Sequence, residues 1–176
     1  MAHPLLDNYK VYKGIVNDTT NDTKISNLLY AVTDFLKNGL GIAVLKETGL
    51  QSKMSIKNHK LVFPYTPIEI TSLTINGKSW DLTDLDITGN VVSGINEPLP
   101  DNKKQTDVVY NIGFDVVPFD LQSAIFILVS RLYENSEHSG ESMEYLSDPV
   151  GARMRMLKQI PSEFYMLIHP YRSFVV

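Results

Sequence analysis

Between Leu121 and Tyr133 lies the stretch that most limits what this chain can fold into. Ile125, Phe126, Ile127, Leu128 and Val129 are consecutive, and at 3.6 residues per turn five consecutive positions reach every side of a helix. A helix on the surface of a domain needs only one apolar stripe. This one must be covered from at least two directions, by its own chain or by another. A bilayer is not the cover, because the apolar run within Ala124 to Val129 is far shorter than the roughly 20 residues that span one.

The neighbouring sequence sets this helix at the end of a β region. Val108 to Ile112 reads as a last strand, Gly113 to Pro118 as a short bridge, and Asp120 favours the helix amino end. Upstream, the polar stretch Asp18 to Thr23 precedes Ile25, Leu28, Leu29, Val32, Phe35 and Leu36, whose spacing is that of a one-faced helix closed by Gly39 and Gly41. From about Met54 the pattern changes to short strands. Asn58-His59 separates two of them, Pro64 and Pro67 break the chain, and Asn76-Gly77 supplies the positive φ angles of a tight hairpin. The alternation changes phase between Ile70 and Leu73, which predicts a bulge. Leu85 and Ile87, the Gly89-Asn90 turn and Val91-Val92 give another hairpin, and Asn96 to Thr106 reads as a polar loop.

Beyond Tyr133, "ENSEHSGES" is expected at the surface, followed by a short helix across Gly151 to Gln159. Pro161 then suits a first helical position, with Glu163 in the first turn of a helix reaching about Ile168. The order is α+β: a small core of three to four helices, residues 1–45 and 114–176, with an inserted antiparallel β lobe, residues 46–113.

Chemistry-bearing patterns are sparse. There are no cysteines, and none of His3, His59, His138 and His169 stands three or four residues from another, so no metal site is expected. Asp81, Asp84 and Asp86 lack the glycine and distal glutamate of a calcium loop and read as a solvated strand edge. Gly39-Leu40-Gly41 follows a helix rather than a strand and lacks a third glycine, so it stops a helix and binds no dinucleotide. Ser139-Gly140-Glu141-Ser142 is no nucleophile elbow. Trp80 is expected to pack the β lobe, and Arg153, Arg155 and Lys158 to form a solvated helix face. With no catalytic arrangement, no enzyme and no cofactor are expected. A net charge of −4 disfavours tight gripping of DNA. The opening "MAHPLLDNYK" shows no signal-peptide pattern, so a soluble protein is expected.

Taken in order, these segments resemble the head-tail connector, or adaptor, proteins of tailed bacteriophages. The resemblance begins with "YKVYKGIVNDTTNDTKISNLLYAVTDFLKNGLG", continues through "LVFPYTPIEITSLTINGKSW", and is most specific in "VVYNIGF" followed by "AIFILVSRLYENSE". Tyr110, Gly113, Phe114, Tyr133, Glu134 and Asn135 match a strand ending Tyr-x-x-Gly-aromatic and a helix ending Tyr-Glu-Asn. The close, "IPSEFYMLIHPYRSFVV", is similar to the family's proline-started helix followed by Pro-Tyr-Arg. Asn96 to Thr106 has no counterpart, and the stretch after Tyr133 is longer and more polar than the family pattern.

The resemblance implies a structural virion protein of the neck, made in the host cytoplasm. It would form a ring of about a dozen identical subunits, a dodecamer, between the portal protein and a downstream neck or tail protein. Double-stranded DNA would pass through without specific binding, and no membrane is involved. In a ring each subunit offers two different buried faces, so Phe126, Ile127 and Arg131 are expected at the subunit interface while Ile125, Leu128 and Val129 serve the core. Tyr171, Arg172, Ser173, Phe174, Val175 and Val176, too apolar for a solvated tail, are expected to dock on the portal or a neighbour. The alternative is a small assembly or nucleic-acid-binding accessory module, favoured if Lys103, Lys104, Arg153 and Arg155 share a face.

Overall fold

The computed structural model describes residues 2–138 and 160–172. The chain divides into two compact units, Met1–Gly39 with Val117–Pro170, and Leu40–Val116 with Tyr171–Val176. The architecture is α+β, as the sequence indicates.

Helices build the first unit: α1 (Leu6–Lys13), α2 (Asp22–Leu40), α3 (Phe119–His138) and α4 (Ser162–Ile168). The sequence pattern gives no warning of α1, because its eight residues are polar on average and only Leu6, Tyr9 and the Lys10 stem are buried. Two of the ties that fix it run to α2 and α3. Lys10 Nζ donates to Asp22 Oδ1 of α2 at 2.9 Å, and the Tyr9 hydroxyl meets Ser130 Oγ of α3 at 3.2 Å. In α2 the anticipated stripe is buried, with Leu29, Val32 and Leu36 fully so, but Gly39 lies inside the helix and the stop is Gly41, at φ +71°. Helix α3 outruns its expected end at Tyr133 to reach His138. Helix α4 starts one residue later than expected, Pro161 being extended at φ −72° and ψ 156°. The expected helix at Gly151 to Gln159 lies outside the described residues.

The second unit is a two-layer β structure. One sheet has the order β1 (Glu47–Ile56), β7 (Asn102–Ile112), β3 (Ile68–Ile75), β4 (Lys78–Ser79), and the other β2 (Lys60–Val62), β6 (Val91–Gly94), β5 (Leu85–Thr88), all pairs antiparallel. Both sheets line one core, in which Leu61, Phe63 and Val92 from the smaller sheet's strands and their flanks join Ile56, Leu73, Val108 and Ile112 from the larger. Phe63 and Tyr110 meet edge to face at 4.9 Å, and Trp80 packs against the same cluster.

The three turns read from sequence are present, with Asn58 and His59 at φ 51° and 62°, Asn76 and Gly77 at 51° and 78°, and Gly89 of the Gly89-Asn90 turn at 63°. The bulge falls between Ile70 and Ser72. There Thr71 and Ser72 are both exposed, and the inward phase resumes at Leu73. Two strands are longer than expected. β1 begins at Glu47, and β7 reaches back to Asn102, so only Asn96 to Asp101 stays a loop. Polarity hid this extension. Asn102 Nδ2 donates to Thr106 Oγ1 at 2.7 Å while its Oδ1 accepts from Ile56 N, so polar side chains are satisfied inside the ladder.

Gly113 marks the point where the chain leaving the sheet passes the chain entering it. Phe114 N bonds to Val44 O, and Leu45 and Phe114 form a parallel bridge. At Gly113, φ is +83°, and a Cβ there would lie 2.1 Å from Leu45 O. Glycine is thus required twice, by conformation and by close approach. Gly113→Ala is expected to lower stability by about 2–4 kcal/mol, measured as a shift of the urea midpoint, whereas Gly49→Ala, at φ +69° with nothing within 4 Å, should lose clearly less.

Candidate interaction surfaces

The all-round apolar helix is covered largely from within its own unit. Leu121, Ala124, Ile125, Leu128 and Val129 are buried, and α4 sends Phe164 and Ile168, both fully buried, toward α3. A second stripe of α3, Gln122, Phe126, Ser130 and Glu134, repeats every four residues and faces α1. Asn8 Nδ2 donates to Gln122 Oε1 at 3.1 Å, Tyr9 and Tyr12 pack on the Phe126 ring at 5.5 and 5.4 Å, and Lys13 reaches Glu134 at 3.3 Å. On this stripe, α1 and α3 run parallel. Phe126 is therefore only 5% exposed, which corrects the expectation that it waits for a neighbouring subunit. Ile127 is half-buried and Arg131 exposed. Those two residues still offer surface.

The amino-terminal segment that positions α1 hangs on His3. Its Nδ1 accepts from Leu5 N at 3.1 Å, its Nε2 faces Thr33 Oγ1 of α2 at 3.4 Å, and its ring meets Tyr30 edge-on at 4.5 Å. Burial lowers the imidazole from 6.5 to about 4. Protonation would also place a proton on the nitrogen that Leu5 N–H addresses.

What the first unit leaves uncovered is apolar and aromatic. Tyr12 is half-exposed over Phe126, with exposed Val11 next to it and exposed Val16 four residues on, and α4 turns Met166, 77% exposed, away from buried Phe164. Phe119, the first residue of α3, is 84% exposed. None of these was singled out from the sequence. Phe119 was readable: it shares a helix side with Ser123, whose Oγ donates to its carbonyl, and lies off the Leu121, Ala124, Leu128 side.

In the second unit, Tyr171 is half-buried with its ring edge-on to Phe114 at 5.7 Å, and Arg172 is exposed. Ser173, Phe174, Val175 and Val176 lie outside the described residues. Where the chain enters and leaves the sheets, Lys46 Nζ pairs with Asp115 at 3.0 Å and Glu69 at 3.5 Å, and Asn111 bridges Glu69 to Gly49 N. Asn111, then Lys46, hold the Glu69 carboxyl below its ordinary range. Asp81, Asp84 and Asp86 do not converge. Asp81 accepts from Thr83 N and Oγ1, Asp84 from Asn96, and Asp86 from Thr88. Among the described residues no cluster of histidines and carboxylates would hold a metal, and no helix is long and apolar enough to cross a membrane.

The family model for the head completion protein matches residues 5–174 of the chain. Among solved structures, a chain from the "Neck of empty GTA particle computed with C6 symmetry" is similar, with a TM-score of 0.59 and 16% sequence identity over 99% of this chain and 91% of that one. At that identity the likeness shows a shared fold. No curated protein matches the chain.

The packing of α1 on α3 predicts that Phe126→Ala behaves as a core truncation and costs about 3–5 kcal/mol, whereas Ile127→Ala costs clearly less. Urea unfolding of the two variants checks this. The His3 anchor is sensitive to acid. Above pH 6.5 both folded and unfolded chains carry the neutral imidazole. As pH falls from 6.5 towards 4 the unfolded chain takes up a proton that the folded one refuses, so stability drops by up to about 3 kcal/mol. Urea midpoints measured across that window should fall more steeply for the native chain than for His3→Gln.

Proposed function

The chain belongs to the head completion protein family, and from that premise we propose that it is a structural protein of the virion neck. In this reading identical copies form a ring between the portal protein and the next neck or tail component, and double-stranded DNA passes through the centre. The observation that carries the reading is the family match over residues 5–174, nearly the whole chain. The fold supports it, since the similar chain comes from a neck structure computed with C6 symmetry, and a ring of a dozen copies is a multiple of six. The protein acts by shape and adhesion, with no catalytic step. It assembles in the host cytoplasm and ends in the virion.

A closed ring is built from heterologous contacts, so each copy presents two unlike surfaces. On α3 the surface offered to a neighbour is Ile127 and Arg131, while Phe126 on the adjoining stripe is covered by α1. Docking to the portal or to the adjoining copy uses the end of the chain, Tyr171 and Arg172 with Ser173, Phe174, Val175 and Val176. Each large apolar side chain that leaves water in such a contact contributes roughly 1.5–3 kcal/mol.

Purified chain mixed with assembled portal of the same phage and imaged by electron microscopy is expected to add a coaxial ring of density. A portal left bare under conditions that recruit other neck proteins overturns the reading. Deleting residues 173–176 is expected to reduce portal occupancy at least tenfold, and unchanged occupancy removes the terminal segment from the docking surface.

A further inference from the structure

The two edges of the β unit differ in charge. The β1–β2 hairpin joins one edge of the larger sheet to one edge of the smaller, and the Leu82–Asp84 turn joins the opposite edges, β4 to β5. The sandwich therefore has one side made by β1 and β2 and another made by β4 and β5. On the first side stand Lys53, Lys57 and Lys60, all exposed. Lys53 lies 3.7 Å from Asp107, and His59 beside Asp101, but Lys57 and Lys60 pair with no carboxylate among the described residues. On the second side stand Asp81, half-buried Asp84 and Asp86, which accept only neutral hydrogen bonds, with Lys78 the nearest cation in sequence.

Each edge also exposes apolar surface amid its charges, Val62 on β2, and Leu82 just before β5 with Ile87 on it. An apolar centre within a charged rim is the composition of a protein contact. The separation matters as well. Three strand spacings across the larger sheet and two across the smaller put the edges about 10–14 Å apart, at or beyond the Debye length of about 8 Å at physiological salt. The opposite charges thus do little to neutralise each other within one copy, and are free to do so between copies.

We propose that the lysine-bearing β1–β2 edge of one copy docks on the aspartate-bearing β4–β5 edge of the next. This inference rests on the ring reading above and gives it a head-to-tail register. Identical copies with unlike, complementary edges make the heterologous contact that closes a ring, and the charges steer encounter and reject like edges.

The test uses the full chain and assembled portal. Lys57→Glu/Lys60→Glu makes both edges acidic, and Asp84→Lys/Asp86→Lys makes both basic. Each variant alone is expected to form rings about tenfold less well than the native chain, while an equimolar mixture of the two recovers ring formation through alternating copies. A zero-length carbodiimide cross-linker applied to native rings, mixed from isotope-labelled and unlabelled chain, is expected to join Lys57 or Lys60 of one copy to Asp84 or Asp86 of another, and this result decides the matter if a variant fails to fold. Native rings without that cross-link, or variants that assemble as well alone as the native chain does, overturn the edge contact and leave the ring intact. Particles with normal rings of the lysine variant that leak DNA would assign the basic edge to nucleic acid and overturn it too. A native chain that forms no ring on portal overturns both.

Discussion

Burial of α3 on more than one side is the constraint on which the helical unit depends. A helix apolar around its circumference has no stable place at the surface of a domain, and α4 and α1 are part of the cover it finds. Of these, α1 contributes most through Tyr9. Its ring is 1% exposed and packs on Phe126, its hydroxyl meets Ser130, and burial raises that hydroxyl's pKa from its ordinary value. Eight residues make only a marginal helix in isolation. Helix α1 exists because three fixed points hold it: His3 at its entry, Lys10 on Asp22, and Tyr9 on α3. The cover in turn leaves Tyr12 and Val11 facing outward, so satisfying one apolar face creates another.

The β unit meets a different demand. Short strands rich in polar residues cannot bury two faces each, and the solution is two small sheets sharing one core, with Phe63 against Tyr110 at its centre. Its weak point is where the entering and leaving segments cross at Gly113, since the backbone approach there leaves no room for a side chain. The glycine that ends the strand is thus explained by the close approach of the Leu45 carbonyl.

Hydrophobic period and turn chemistry made much of this legible. The stripe of α2, the Asn-Gly hairpin, the bulge after Ile70 and the proline before α4 all follow from local rules whose signal lies within a few residues. What escaped was decided by tertiary partners. Helix α1 carries too little apolar periodicity to be seen, because its stability comes from a half-buried ion pair, one tyrosine and the His3 contact at its entry. The first residues of β7 look like loop because Asn102 and Thr106 satisfy each other and the neighbouring strand. The same limit applied to the surface. Sequence alone marked the right helix as needing cover but placed Phe126 outward, since the helix that covers it was the one not foreseen.

The two units leave different kinds of surface, and that difference bears on how a neck would hold together. The helical unit exposes Phe119, Tyr12 and Met166, and the β unit opposed edges of lysine and aspartate. Apolar anchors chiefly slow dissociation, while complementary charges speed encounter and select register. In the proposed ring, contacts through the charged edges form quickly, weaken with salt and reject wrongly turned copies. Contacts through the aromatic and aliphatic residues persist once made. A neck assembled one copy at a time needs both. Charge alone would let the ring open whenever ionic strength rose, and apolar contact alone would trap copies in whatever orientation they first met.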